Sequence, residues 1–517
     1  MAEAQQDRLA SALPAKAFPG AAFGIPAALF VSLLAFLAAY VLQKPVAAFA
    51  VCAALSAGVV LAWLMIRPMR LVRTLFILLP FHIMFMVVLF GLLGLPESIV
   101  RALASWKEGV LFVFLLSVIA WIAFSGKRRF RVGPTEAFAL VFILQVLVYV
   151  AIAPLLGSEI GLVGRLYDVR DSTLLLGCYF LGRAIRLDPD ELDRLLKLVV
   201  TVGAVTVGLG LLEWFLLPDQ FFVLLGVSSY FKDFLGVNYA ADDWGQGLPS
   251  NFWTYMGALG YVRRSVSVYM SSQGYAVTFL ILIPIATYFV LYARTRRKVW
   301  GLVFQWAGLL SSITRATILI CGMLFFLMAK LSGRDSWFKK GVLWGIALAI
   351  GGMVFSQGVR TLVWETLTFK SDSSISHLSS WTTSIDPILE KPLFGHGLSE
   401  AGQNSKRFGG KNVGEESMEL RLIGELGAFG FLVYMGFWFA YMLEAYAVKR
   451  SAWAQERIKG MSVMAIAICV GFLLNGLAAD LLSSQYTNFA TGILLGLIRT
   501  TTQAASAGSA APAPFPT

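Results

Sequence analysis

Apolar runs of about twenty residues, the length that carries a helix across a bilayer core, follow one another along most of this 517-residue chain. On that ruler the sequence predicts about fourteen spans, near 25–42, 45–66, 74–95, 109–126, 135–156, 172–187, 195–216, 273–293, 300–313, 315–331, 341–357, 421–445, 461–479 and 485–499. The expected fold class is an all-α polytopic membrane protein. Composition agrees, because 58% of the residues are hydrophobic and 14% charged, a balance that excludes a soluble domain of this size. Cys52, Cys178, Cys321 and Cys469 all lie in apolar runs without metal-site or redox spacing, so they read as small core residues.

The net charge of +12 would suit nucleic acid, but the basic residues come in short clusters between spans: Arg67/Arg70/Arg73, Lys127/Arg128/Arg129/Arg131, Arg294/Arg296/Arg297/Lys298, Lys339/Lys340 and Lys449/Arg450/Arg457/Lys459. Positive-inside topology accounts for them, and no nucleic-acid partner is expected. Placing both termini in the cytoplasm puts every cluster on that side and the long loops near 217–272 and 358–420 outside. The expected organisation is an N-terminal cytoplasmic segment 1–24, spans 1–11 over 25–357, a large outer loop 358–420 between spans 11 and 12, spans 12–14 over 421–499, and a disordered cytoplasmic tail 500–517. The apolar run at 25–42 has another span directly behind it and reads as a first span rather than a cleaved signal. Residues 188–197, DPDELDRLLK, read as an amphipathic surface turn or a solvated linker.

Charges at the outer edge need a reason. Arg263 and Arg264 precede span 8, Arg315 sits at a tight turn between two short spans, Arg360 begins the long loop and Arg421 opens span 12. A guanidinium grips phosphate oxygens bidentately and keeps its charge, so such a group suits a diphosphate at the membrane surface; each arginine could instead meet lipid phosphate or a nearby carboxylate. Glu416, Glu419 and Glu425 are the acidic counterpart. Arg421 and Glu425 are spaced to pair across one helical turn, while Glu416 stands just ahead of the helix, as a base or as an N-terminal cap. His82 falls inside span 3 and reads as a packed or hydrogen-bonded core residue; His377 and His396 lie in the long loop, where each is a catalytic or a solvated histidine.

Four segments, in order over residues 260–500, resemble the superfamily of O-antigen ligases and O-antigen polymerases, bacterial membrane glycosyltransferases. They are Arg264 with Ser267 and Tyr269; TRATIL around Arg315; Trp381 followed by PLFGHGL, the most specific of the four; and Glu416, Ser417, Gly427 and Gly430, spaced as in the ligase motif of His, then Asn, Ser or Gln, then nine residues, Gly, two residues, Gly. Glu416 stands where ligases carry their histidine, and His377 where the family often has arginine, four residues before the tryptophan. That departure favours a polymerase.

The resemblance implies a metal-free inverting glycosyl transfer on the periplasmic face of the bacterial inner membrane. Donor and acceptor are undecaprenyl-diphosphate-linked oligosaccharide repeat units, and a chain-length regulator is a compatible partner. Arg264 and Arg315, with Arg263, Arg360 and Arg421 around them, would hold the donor diphosphate; Glu416 is the candidate base, with His377 and His396 as alternatives. No cofactor and no metal are expected. No phosphate-binding loop motif is present, and the adjacent Asp242 and Asp243 in an outer loop stay open as metal ligands. A ligase moving finished glycan to lipid A core or protein would share this chemistry. A polysaccharide or lipid transporter is the non-enzymatic alternative, and would place its functional charges near the bilayer centre.

Overall fold

The computed structural model describes residues 68–107, 109–110, 132–236, 247–255, 260–292, 295–334, 336, 360, 364, 368, 372–402, 405, 408–410 and 416–509. The expected spans at 25–42, 45–66 and 341–357 and most of 109–126, together with Cys52, Asp242 and Asp243, lie outside them. By its internal contacts the chain divides into two units, Met1–Leu75 with Glu108–Trp121, and Phe76–Lys107 with Ile122–Thr517. Few residues of the first are described; the second holds the sites discussed below.

The described residues are mostly helical. In chain order the helices are α1 (Pro68–Leu78), α2 (His82–Val87), α3 (Glu97–Ala104), α4 (Pro134–Ile152), α5 (Leu162–Ala184), α6 (Pro189–Leu216), α7 (Asp219–Leu224), α8 (Ser272–Tyr292), α9 (Arg296–Ser311), α10 (Arg315–Leu331), α11 (Asp372–Glu390), α12 (Met418–Arg450), α13 (Glu456–Gly476) and α14 (Gln485–Ser509). A two-stranded antiparallel hairpin, β1 (Trp253–Tyr255) and β2 (Tyr261–Arg263), pairs Thr254 with Val262 at its centre. Among the described residues six helical stretches are long and apolar enough to cross a membrane: Met69–Leu92, Pro134–Leu156, Pro189–Leu216, Ser272–Tyr292, Met418–Arg450 and Glu456–Gly476.

Burial sorts these spans. The best apolar window of α8 is 94% buried and that of the Pro134–Leu156 span 33%, so α8 is the axis of the bundle and α4 keeps a broad apolar face for lipid. Helices α6, α9, α10 and α13 surround α8. Beside them, α5 and α14 run in close backbone contact, because Gly492 and Gly496 lie against the carbonyls of Leu175 and Tyr179 where any Cβ would intrude.

Several boundaries differ from expectation. The segment 188–197 is no separate surface turn: Asp188 caps a single helix, accepting from the Glu191 N–H at 2.6 Å, with Pro189 at its first position, and that helix runs on as α6 to Leu216. Charge along 189–197 hid the continuity. The tail is helical nine residues beyond Thr500, since α14 ends at Ser509. The helix expected at 172–187 starts at Leu162, where Arg165, Asp168, Arg170 and Asp171 masked it from an apolar ruler. The long loop carries α11, and the described residues of 217–272 form α7, short helical turns and the hairpin around a core that includes Phe222, Tyr230, Phe252 and Trp253.

Candidate functional site

One helix end organises the site. Helix α12 is broken at Gly427, whose φ of 70° and ψ of −177° belong to glycine-only territory. A break in a bilayer-spanning helix frees backbone groups that lipid cannot satisfy. Here the Pro392–Gly397 segment supplies the partners: His396 N–H donates to Gly424 O at 2.8 Å and Gly397 N–H to Glu425 O at 3.0 Å, while Ala428 N–H donates to Pro392 O at 2.8 Å. Tyr149 adds its hydroxyl to Phe394 O at 2.8 Å and Leu426 O at 3.3 Å. Two sequence segments singled out separately, PLFGHGL and the glycine pair of α12, are therefore two halves of one backbone lock.

Inside the lock lies a fully buried guanidinium. Arg421 bonds Asp480 at 2.7 Å, Asp168 through its other terminal nitrogen, and Glu425 at 3.4 Å, all four side chains being inaccessible. The expected Arg421–Glu425 pair is present, but it is one edge of a four-member cluster drawn from α5, α12 and the turn after α13. Removing charges from water is costly unless each is met by a partner of good geometry, so this cluster fixes where α12 begins. Asp168 also accepts the Ser399 N–H at 3.3 Å, tying the cluster to the loop that carries the lock.

A second cationic corner is built from the β2 exit and the α9–α10 turn. Arg264 donates from Nε to Ser312 O at 2.9 Å and from a terminal nitrogen to Thr314 Oγ1 at 2.6 Å. Burial, and then the neighbouring Arg315, pull its pKa down to about 10. Among the described residues Arg264 bonds neutral oxygens and makes no ion pair. Arg315 opens α10 and reaches Tyr255 O at 3.5 Å. Two guanidiniums thus share a helix N-terminus, where the backbone itself favours an anion.

The corner connects to the start of α12 by direct contacts. Thr317, in the first turn of α10, donates to Asn475 Oδ1 at 2.8 Å. Asn475 precedes Gly476 at the end of α13, and Gly476 is bare because the buried Glu419 carboxylate lies against it. Ser417 caps α12 by accepting the Leu420 N–H at 3.3 Å and stands 3.4 Å from Glu419. The cap is therefore Ser417 rather than Glu416, which sits one residue earlier, half-buried.

Of the residues singled out from sequence, Arg264, Arg315, Arg421, Glu416 and Glu425 fall at this end of the bundle. Arg263 is turned into a structural role: it bridges Asp219 at 3.3 Å, donates to Leu217 O and lies 4.9 Å over the Phe222 ring. His396 is buried with Nε2 2.6 Å from Pro387 O, locking α11 to the turn that follows it. His377 is on α11, its side chain outside the described residues, and Arg360 is exposed. His82 is hydrogen-bonded as expected, accepting from Trp106 Nε1 at 3.1 Å with Lys107 Nζ 2.6 Å from its other nitrogen. Asp168, Thr314, Thr317, Asn475 and Asp480 were missed. The signal for the two aspartates is general, a carboxylate beside an apolar run needing a partner, but the partner's identity is not local. Among the described residues no His, Cys, Asp and Glu group is arranged to hold a metal. No protein-family model matches the chain, and no curated protein matches it in sequence.

Proposed function

We propose that the protein is a membrane glycosyltransferase that polymerises undecaprenyl-diphosphate-linked oligosaccharide repeat units by metal-independent inverting transfer, in O-antigen or exopolysaccharide synthesis. The observation that carries the proposal is convergence: the Arg264–Arg315 corner and the Glu416–Glu419 segment, about 100 to 150 residues apart in sequence, meet the same α10–α13–α12 junction through Thr317, Asn475 and Gly476. Departing diphosphate needs fixed positive charge, and an attacking hydroxyl needs a base; the two requirements have candidates on opposite sides of that junction. Arg264 and Arg315 hold the donor, with Arg360 as a further outer cation. Arg421 acts from behind, by fixing the helix that presents Glu416. Glu416 takes the acceptor proton as the sugar C1–O bond to the lipid diphosphate breaks and the new glycosidic bond forms.

The finer topology belongs to the same proposal: about fourteen spans in the bacterial inner membrane, both termini cytoplasmic and the 217–272 and 358–420 segments periplasmic. Labelling of Gly245→Cys from the cytoplasm alone would overturn it.

The decisive assay is polymerisation of purified lipid-linked repeat unit by purified protein. Arg264→Ala and Arg315→Ala are expected to abolish product at normal protein yield, with lysine a poor substitute because the planar fork is lost. Glu416→Gln is expected to slow turnover by roughly 10² to 10⁴ while donor binding survives. Full activity of both lysine variants, or near-normal turnover of Glu416→Gln, rejects the assigned roles. Transfer only to lipid A core acceptors would make the protein a ligase.

A further inference from the structure

At the opposite end of the bundle, the N-termini of α6, α9 and α13 and the C-terminus of α8 enclose a cavity of about 750 Å³. Its acids are already committed. Arg457 binds Asp190 at 2.6 Å and Asp193 at 2.7 Å, Tyr288 donates to Asp193 at 2.9 Å, and Glu456 is met by Lys459 at 3.1 Å. Two lysines remain over. Lys197 of α6 and Lys298 of α9 both line the cavity, and among the described residues neither makes an ion pair.

These ammonium groups are close enough to disturb each other. Burial, and then Lys197, pull the pKa of Lys298 below its usual value. Lys298 Nζ also lies 5.5 Å over the Phe289 ring, which holds it at the cavity wall. It belongs to the first turn of α9, whose N-cap Thr295 makes no side-chain cap bond, so the helix dipole adds positive potential at the same place. An anion between the lysines relieves their repulsion and meets the helix end together.

We propose that this cavity is a binding site for the phosphate of an anionic lipid headgroup, held between Lys197 and Lys298. The site lies at the ends of three stretches long and apolar enough to cross a membrane, Pro189–Leu216, Ser272–Tyr292 and Glu456–Gly476, and a bilayer that they span would bring its headgroups to that level. Tyr288, Phe289 and Tyr292 give the wall an apolar, ring-lined side suited to the glycerol and upper acyl region. The site is independent of the transferase proposal and stands or falls without it.

Native mass spectrometry of the purified full-length protein, mixed with equal phosphatidylglycerol and phosphatidylcholine, tests it. Each lysine near an anionic headgroup is worth roughly fivefold, so the pair should favour retained phosphatidylglycerol by roughly thirtyfold over the variant that lacks both. Lys197→Gln with Lys298→Gln should lose that preference, and arginine at both positions should restore it, which separates charge from misfolding. Lys449→Gln with Arg450→Gln, a basic pair outside the cavity, should leave it unchanged. An unchanged lipid preference in the glutamine pair overturns the site. Displacement of the bound phosphatidylglycerol by millimolar inorganic phosphate would make it a soluble-anion site and overturn the lipid assignment.

Discussion

Helices α5 and α12 carry a charge cluster at each end, completed at one end by Asp480 after α13 and at the other by Glu136 of α4 and Arg499 of α14, and the two clusters are built on opposite accounts. At the lock end one guanidinium, Arg421, faces Asp168, Asp480 and Glu425. At the far end two guanidiniums share the work: Arg183 meets Glu136 at 2.9 Å, and Arg499 meets Glu136 at 2.7 Å as well as Glu444. Hydroxyls complete the second cluster, with Tyr179 donating to Glu136 at 2.6 Å and Arg183 donating to Thr500 at 3.0 Å. The far cluster is balanced and redundant, a clamp that tolerates loss of a member. The lock cluster hangs on a single residue.

That difference sets the size of the effects. Arg421→Met removes the one cation from three buried carboxylates and is expected to cost about 3–5 kcal/mol, read as collapse of the thermal unfolding midpoint in detergent or as loss of folded yield. A midpoint within a few degrees of wild type would mean that water or another cation serves the carboxylates. Arg183→Met at the far end leaves Arg499 on Glu136, and so should cost only about 1.5–3 kcal/mol in the same measurement, the range for one charged hydrogen bond. Equal losses at the two ends would break the contrast. A smaller effect is expected for Tyr149→Phe, which deletes a hydroxyl serving the carbonyls around the Gly427 break: about 0.5–1.5 kcal/mol, with hydrogen exchange rising first at Leu426–Phe429.

Part of this was legible before the fold. The spans that became α4, α8 and α13 stand out because apolar composition and length alone decide them, and their predicted limits lie within a few residues of the observed ones. The lock was visible only as two unrelated segments. Gly427 sits in a run that reads as one continuous span, and nothing local says that its freed carbonyls are answered by a segment some thirty residues earlier. Asp168 and Asp480 lie 253 and 59 residues from Arg421, and pairing over such distances is a property of the packed bundle. Arg263 misled in the opposite way, because its neighbour Arg264 shares its chemistry, yet Arg263 at the end of β2 turns to Asp219 and Leu217 O while Arg264 just beyond it turns to Ser312 and Thr314.

The smallest expected change sharpens the comparison most, because it separates support from chemistry at the start of α12. Ser417→Ala removes the hydroxyl that caps the Leu420 N–H, and should cost about 1 kcal/mol, the usual worth of such a cap. Asparagine caps as well as serine does and adds no charge, so Ser417→Asn should recover most of that stability, whereas aspartate at this buried position would also have to desolvate its carboxylate. Ser417→Asp sets a further carboxylate between Glu416 and Glu419, and Glu419 already lies 3.4 Å from the Ser417 hydroxyl, so this variant should be the less stable of the two. Were this segment only a helix end, donor affinity measured on folded protein would be the same for both variants. If an anionic donor is drawn to the junction, the aspartate variant should bind donor more weakly than the asparagine variant, and salt should partly close the gap as it screens the added charge. Equal donor affinity for asparagine and aspartate would remove the charge-sensitive part of the proposed site and leave α12 with a cap alone.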